Sequence, residues 1–271
     1  MKPITVFIVL LFFLESCVQY SPYEVRLSET ELNLTQNAIL RITILPETDT
    51  LYFVFAGDAQ RFYDDAIALT SSVNRQANAL FTIFAGDITD FGLIMEYRAM
   101  HQIFTLLNMP FLSVIGNHDL IYNGGFIYQQ MYGDYDFAFT YSGFRFVFVN
   151  TNSREFNFNG TVPNINEMRS NLSDTSNYKT AIVVCHVPPG HVDFDDTLTK
   201  SYEDALLETG KVALHLNGHN HDFSERILSD ENSTIHCVNS YSLDKRKYMI
   251  FKCWHTNSTN EPNHTMEIIS Y

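Results

Sequence analysis

The stretch Leu112-Ser113-Val114-Ile115-Gly116-Asn117-His118-Asp119 carries the strongest structural signal in this chain of 271 residues. Apolar residues lead up to a glycine, after which an amide, an imidazole and a carboxylate follow in succession. A short apolar run that ends at a glycine is typical of a buried strand. The polar triplet is therefore predicted to lie at the carboxyl end of that strand, where open α/β sheets bind their ligands.

Four other segments follow the same design, with an apolar run that leads into polar side chains. The runs are Leu51–Ala56, Ala79–Ala85, Thr180–Cys185 and Val212–Leu216. Asp58 and Gln60 follow the first run, Asp87 follows the second, His186 follows the third, and His219 and His221 follow the fourth. Because carboxylate, amide and imidazole groups occur here without a thiolate, the set suits divalent metals such as Mn, Fe and Zn.

In chain order the motifs read Gly-Asp-x-Gln, Gly-Asp, Gly-Asn-His-Asp, His and Gly-His-x-His. This ordered set, from Leu51 to about His221, resembles the calcineurin-like metallophosphoesterases, of which one branch also carries Gln in the first motif. The resemblance implies an α/β fold of two packed mixed β-sheets flanked by helices. It also implies a hydrolase that cleaves a phosphomonoester or a phosphodiester with a hydroxide held between two metal ions.

The resemblance assigns ligands to both ions, whose identity stays open among Mn, Fe and Zn. The first ion would be bound by Asp58, Gln60, Asp87 and His221, and the second by Asp87, Asn117, His186 and His219. Most members of the family carry His at the place of Gln60, and an amide is a weaker, neutral ligand. Gln60 is therefore either a ligand or a hydrogen-bonding neighbour of the ligands. On an extended segment, His219 and His221 would both point into the site because they are two residues apart.

The resemblance gives His118 a role on the substrate, where it would stabilise or protonate the leaving oxygen. Asp119 is predicted as its catalytic partner, since pairing with the imidazolium would raise the pKa of His118. The alternative is that Asp119 caps the segment that follows. Arg61, next to the first motif, either reaches a substrate phosphate or lies on the surface.

Periodicity predicts the remaining elements. They are a strand over Ala38–Leu45, helices over Arg61–Asn78 and Leu93–Leu107, hairpin strands over Asp136–Tyr141 and Phe144–Asn150, a short helix near Glu167, a helix over Thr197–Leu207, and further strands to about Ser270. If the runs around Cys237 and Cys253 pair as a hairpin, the two sulfurs lie opposite each other. They would then form a disulfide or remain free buried thiols.

Composition argues against nucleic-acid binding, because the formal net charge is −14 and no basic run occurs. The expected partner is a phosphorylated small molecule or a phosphodiester. Two other functions stay open, namely a metal-binding surface lipoprotein with weak or no turnover and an adhesive lipoprotein. Hydrolysis of nitrophenyl esters with added Mn would separate the first of these from an enzyme.

The N-terminus has the form of an export signal, because Lys2 precedes an apolar run from Ile4 to Leu14. Leu14-Glu15-Ser16-Cys17 resembles a bacterial lipobox, which predicts a signal peptide over 1–16 and a lipidated Cys17. Residues 17–37 would tether a phosphoesterase domain over 38–271 to the cell envelope. The alternative is an ordinary secretory leader and a soluble secreted protein. No feature of the sequence indicates an oligomeric state.

Overall fold

The computed structural model of the protein describes residues 25–255 and 263–271. The predicted signal peptide and Cys17 lie outside the described residues. Within them, two mixed β-sheets pack face to face with helices on their outer faces, which confirms the predicted fold. None of the helices in these two ranges is long and apolar enough to cross a membrane.

The first sheet has five strands in the order β11-β10-β1-β2-β3. Its strands are β1 (Thr50–Ala56), β2 (Phe81–Phe84), β3 (Phe111–Ser113), β10 (Lys247–Trp254) and β11 (His264–Ser270). β1, β2 and β3 run parallel, whereas β10 runs antiparallel to both β1 and β11. The three parallel strands are the apolar runs that precede Asp58, Asp87 and Asn117, so their carboxyl ends bring these residues to one edge of the sheet.

The second sheet has six strands in the order β4-β5-β6-β7-β9-β8. Its strands are β4 (Phe137–Tyr141), β5 (Phe144–Val149), β6 (Thr180–Cys185), β7 (Val212–Asn217), β8 (Ser224–Ser229) and β9 (Thr234–Asn239). β5, β6, β7 and β9 run parallel, and β4 and β5 form the predicted hairpin. β6 and β7 deliver His186, His219 and His221 to the carboxyl ends of this sheet.

Six α-helices occur in the described part of the chain. They are α1 (Leu34–Thr43), α2 (Tyr63–Val73), α3 (Ile94–Phe104), α4 (Gly124–Met131), α5 (Ile165–Ser173) and α6 (Asp196–Leu207). α2 and α3 lie within the two helices predicted between the first three strands. α5 and α6 match the predicted helices near Glu167 and over Thr197–Leu207.

Phenylalanine rings fill the space between the sheets. Phe53 of β1 stacks on Phe81 at 5.8 Å and on Phe251 at 5.3 Å, and Phe146 of the opposite sheet meets Phe81 edge-on at 5.3 Å. Alternate residues of the same strand face outward, so Val54 packs under the helices on the outer face. Burial on both faces explains why these strands read as continuous apolar runs.

The predicted strand over Ala38–Leu45 is wrong, because this segment belongs to helix α1 and the loop that follows it. Ala38 and Ile42 are buried one helical turn apart and join the core between the sheets, whereas Leu40 and Ile44 are exposed. A mostly apolar segment fits a period of 2 as well as one of 3.6, so the pattern did not decide between them. The helix starts before residue 38, where the domain was predicted to begin.

The predicted hairpin around the two C-terminal cysteines is also wrong. Cys237 lies on β9 in the second sheet and Cys253 on β10 in the first, and both thiols are free and buried. The chain between these strands crosses from one sheet to the other instead of turning back on itself. The alternative of two free thiols is therefore the one that the structure shows.

Candidate metal centre

The polar residues that follow five of the parallel strands, namely β1, β2, β3, β6 and β7, meet at one rim, where the carboxyl ends of both sheets come together. His186 lies at the centre of the group. Its Nε2 is 2.9 Å from Asn117 Oδ1, 3.3 Å from Asp87 Oδ1 and 4.0 Å from Asp58 Oδ1. His219 joins from the other side, with Nδ1 3.0 Å from Asn117 Oδ1 and 3.3 Å from His186 Nε2.

Gln60 and His221 complete the group next to Asp58. His221 Nε2 lies 3.6 Å from Asp58 Oδ1. The Gln60 amide lies 3.2 Å from Asp87 Oδ2 and 3.4 Å from His221 Nε2. All seven predicted ligands therefore come together, and Gln60 is placed where it can either bind an ion or hold the two side chains beside it.

Four of these seven residues have a left-handed backbone, with φ values of 40° at Gln60, 52° at Asp87, 72° at His219 and 62° at His221. Non-glycine residues rarely adopt this conformation, and it costs about 1–3 kcal/mol each. The expectation that His219 and His221 lie on an extended segment is wrong. Both side chains reach the site because the chain turns at each of them.

The buried acids and the imidazole of this group have shifted pKa values. Burial raises the pKa of Asp58 above its usual range. Burial acts the same way on Asp87, but the neighbouring His186 outweighs it and holds the pKa of Asp87 below the usual range. Burial would lower the pKa of His186, whereas Asp87 and Asp58 raise it. The pKa values of the two buried acids and of His186 are thus shifted by burial and by one another.

The chemistry of these donors fits divalent cations. Asp58 Oδ2 is buried and has no hydrogen-bond partner among the described residues, and a buried unpaired carboxylate oxygen is costly unless a cation compensates it. The Nδ1–H of His186 donates to the carbonyl oxygen of Ala85 at 2.7 Å, so Nε2 is the nitrogen that faces the carboxylates. Ligand atoms of Asp58, Asp87 and His186 all lie within 4.8 Å of one another.

Residues 51–223 match the family model described as calcineurin-like phosphoesterase. The chain belongs to the calcineurin-like phosphoesterase family. No curated protein sequence matches the chain. Solved structures do, and they share its fold.

Three of the similar structures illustrate the range of proteins with this fold. A dimetal phosphatase from Danio rerio superposes with a TM-score of 0.60 at 10% identity, over 80% of this chain and 98% of that one. GAP50, the anchor in the inner membrane complex of Plasmodium, gives 0.58 at 15% identity, over 82% and 85%. A purple acid phosphatase from yellow lupin gives 0.56 at 11% identity, over 82% and 54%. At these identities the likeness concerns the fold.

His118 of this calcineurin-like phosphoesterase stands beside the ligand group without joining it. Its side chain is about one third exposed, and the Nδ1–H donates to the backbone oxygen of Asp90 at 2.7 Å. The Asp90 carboxylate lies 3.8 Å from the same nitrogen. These contacts involve Nδ1 and leave Nε2 as the other ring nitrogen of a partly exposed side chain.

The predicted pairing of Asp119 with His118 is wrong. Asp119 is fully buried, and its carboxylate accepts hydrogen bonds from the backbone N–H groups of Gly116, Ile88 and Thr89 at 3.0, 3.2 and 2.9 Å. The alternative of a cap is closer, although Asp119 caps the loops that carry Asp87 and Asn117 and not the segment after it. Burial and the Asp87 carboxylate raise its pKa to about 6.

Sequence reasoning missed two carboxylates that touch the site, Asp90 and Asp193. Asp90 accompanies His118 and also binds Arg61 at 3.2 Å. The side chain of Arg61 is 68% exposed, which agrees with the surface alternative. The feature of the sequence that could have indicated Asp90 is its position three residues after Asp87. Asp193 follows a Pro-Pro-Gly loop that has no motif, so nothing in the sequence marked it.

Proposed function

We propose that this member of the calcineurin-like phosphoesterase family is a metal-dependent hydrolase of phosphomonoesters or phosphodiesters. The observation that carries the proposal is the buried pair Asp58 and Asp87, with one unpaired carboxylate oxygen, at the point where amide and imidazole side chains converge. Such a group of oxygen and nitrogen donors favours Mn, Fe or Zn.

Two ions would be held in this arrangement. Asp58, Gln60, Asp87 and His221 would hold the first, and Asp87, Asn117, His186 and His219 the second. When bound, such ions supply Lewis acidity that activates water and neutralises charge on the phosphoryl oxygens. Asp58 and Asp87 are deeply buried, and the Ala85 carbonyl holds the His186 ring, so these three side chains have little freedom to rearrange.

His118 would protonate the leaving oxygen. With Nδ1–H held by the Asp90 carbonyl at 2.7 Å, the proton that His118 donates would come from Nε2, the other ring nitrogen. His118 is therefore the residue placed for general acid catalysis.

The test compares His118→Ala with Asn117→Ala, two neighbours with different proposed roles. His118→Ala should retain its metal content and lose roughly 10²–10⁴-fold in turnover, the range for a positioned acid. The loss should shrink for a nitrophenyl ester relative to a phenyl ester, because a stable leaving group needs little protonation. Asn117→Ala should be depleted in the second metal, with partial recovery of activity at high metal concentration.

Metal analysis and rates on both esters decide the matter. Equal metal depletion in His118→Ala and Asn117→Ala would refute the division of roles. A wild-type protein that binds two metals but hydrolyses none of a panel of mono- and diesters would refute the enzymatic proposal itself.

A second candidate is a metal-binding protein of this fold without turnover. The neutral Gln60 beside the first ion favours it, since an amide binds a metal less strongly than an imidazole. The structural likeness to GAP50, an anchor in the inner membrane complex of Plasmodium, shows that a protein with this fold has an anchoring role. Hydrolysis of nitrophenyl phosphate and bis-nitrophenyl phosphate with added Mn separates the two candidates.

We also propose that the chain is exported and anchored to the bacterial cell envelope through Cys17. The basis is the leader-like run Ile4–Leu14 followed by Leu14-Glu15-Ser16-Cys17. Cys17→Ala should leave an unlipidated precursor or release the domain from the membrane fraction. Mature soluble protein with another N-terminal residue would support ordinary secretion instead.

A further inference from the structure

Asp193 lies in the loop after β6, and its carboxylate is buried behind the candidate metal centre. Its Oδ2 is 3.1 Å from His219 Nε2, and its Oδ1 is 2.9 Å from the Arg154 guanidinium. The side chain of Asp193 is 9% exposed, whereas that of Arg154 is 60% exposed. A buried carboxylate thus links the outer nitrogen of a proposed metal ligand to a cation at the surface.

This contact determines which nitrogen of His219 carries the proton. Asp193 Oδ2 and Asn117 Oδ1 both accept hydrogen bonds, at 3.1 Å from Nε2 and 3.0 Å from Nδ1 of His219. An ionised carboxylate is the stronger acceptor, so it favours the tautomer of neutral His219 with the proton on Nε2. Nδ1 then presents its lone pair. That atom faces the site, at 3.0 Å from Asn117 Oδ1 and 3.3 Å from His186 Nε2.

We infer that Asp193 is a positioning residue that holds His219 in the tautomer and orientation needed for metal binding through Nδ1. The inference rests on the proposed function, in which His219 binds the second ion. Metal-binding histidines commonly donate their other N–H to a carboxylate, which fixes the ring and increases the basicity of the ligand. Asp193 occupies that place for His219.

The surroundings fix Asp193 in turn. Its backbone oxygen accepts a hydrogen bond from the backbone N–H of Arg154 at 3.2 Å, which ties its loop to the segment after β5. Its backbone N–H donates to His191 Nδ1 at 3.1 Å, and the His191 ring meets the His219 ring edge-on at 4.5 Å. The His219 ring is therefore held by a carboxylate at one end and by a packed imidazole on its side.

His191, Asp193 and His219 also have ligand atoms within 4.8 Å of one another, so a third ion at this place is the competing interpretation. Two contacts disfavour it. The lone pair of His191 Nδ1 already accepts the Asp193 N–H, and the Arg154 cation already compensates the carboxylate. With His219 Nε2 protonated, few free donors remain for an ion.

The experiment uses the metal-free full chain and its Asp193→Ala and Asp193→Asn variants. The matched control is Asp196→Asn, which changes an exposed aspartate three residues away. Calorimetric titration with Mn²⁺ and Zn²⁺ should show the weaker of two binding steps reduced about 10–100-fold in Asp193→Ala. The affinity of this step should fall less in Asp193→Asn, because the amide oxygen can still accept a hydrogen bond from His219 Nε2–H. In Asp196→Asn the affinity should stay within about twofold of the wild type.

Long-range ¹H–¹⁵N spectra of the histidine rings report the His219 tautomer directly. This tautomer would stay unchanged on mutation if Asp193 only supported the fold. Wild-type His219 should show the Nε2–H tautomer without metal, and Asp193→Ala should lose that preference. Unchanged affinity and an unchanged tautomer in Asp193→Ala would overturn the inference. So would three bound ions in the wild type that fall to two in both Asp193→Ala and His191→Ala.

The two proposals fail in different ways. If the wild type binds no metal at all, the proposed function fails, while the spectra of the metal-free protein still report whether Asp193 sets the His219 tautomer. If the wild type binds two ions and hydrolyses esters but Asp193→Ala does both equally well, only the role of Asp193 is refuted.

Discussion

Gly116 lies between β3 and Asn117, and adding one methyl group at this position should displace a proposed metal ligand. A Cβ built there would overlap Asp87 Oδ1 and the Asp87 backbone nitrogen, and it would lie 2.8 Å from Asp87 Cγ. Normal carbon–carbon contacts are about 3.5–4.0 Å, so in Gly116→Ala the Asp87 residue has to move by roughly 1 Å. Asp87 is the residue proposed to touch both metals.

A displacement of about 1 Å in a catalytic group costs on the order of 10²-fold in rate. Gly116→Ala should therefore lose roughly 10²-fold in kcat/KM and bind fewer than two metal ions at a concentration that saturates the wild type. The strain should also lower the free energy of unfolding by about 1–3 kcal/mol. Metal analysis, ester hydrolysis and urea unfolding of the metal-free protein measure the three effects.

Gly210→Ala is the matched control, because a Cβ at Gly210 meets nothing within 4 Å although φ is 64°. Its free energy of unfolding should fall by about 1–2 kcal/mol, because alanine is disfavoured in a left-handed backbone, and it should retain its metals and activity. Two tightly bound ions and wild-type turnover in Gly116→Ala would refute the reasoning, since Asp87 would then have moved without consequence or not at all.

Three further changes test other parts of the structure. Asp90→Asn should leave in place the backbone oxygen that holds His118, so metal content should stay unchanged and turnover should fall less than in His118→Ala, as metal analysis and ester hydrolysis would show. Burial raises the pKa of Asp136 from 3.8 to about 7, so its charge opposes folding as the pH rises through this range. In urea unfolding, Asp136→Asn should therefore have a free energy of unfolding about 1–2 kcal/mol higher than the wild type at pH 8 and nearly the same at pH 4. Phe146→Ala should cost about 3–5 kcal/mol in the same measurement, because its ring is fully buried between the sheets.

The strands that lead to the site could be predicted because they are buried on both faces as apolar runs, and each run ends at polar residues. Helices α2, α3 and α6 followed from their periodicity, whereas α4 was not predicted. Helix α1 could not be recognised, since Ala38–Leu45 is almost entirely apolar and its burial at Ala38 and Ile42 depends on where it docks. The partners of β9 and β10 could not be predicted either, because a short connection does not reveal that the chain changes sheet.

The side chains that converge at the rim were predictable from their motifs, but the carboxylates that contact and support them were not. Asp119, Asp90 and Asp193 are chemically alike, and their roles depend on loops whose shape no local pattern indicates. Asp119 accepts backbone N–H groups, Asp90 faces His118, and Asp193 faces His219. Which carboxylate meets which histidine is a property of the folded rim.

Gly218 shows how the fold fixes that shape. A Cβ there would lie 3.0 Å from Asp58 Oδ2 and 3.0 Å from Ala85 Cβ, so any side chain would push these neighbours away by a few tenths of an ångström, and glycine lets the chain after β7 approach the first sheet this closely. The next residue, His219, donates its backbone N–H to Asp58 Oδ1 at 3.0 Å and takes up a φ of 72°. Its left-handed backbone costs about 1–3 kcal/mol, which the contacts of both sheets must offset. The two sheets therefore have to be packed before the proposed ligands are aligned, and the aromatic core between the sheets is a precondition of the candidate metal centre.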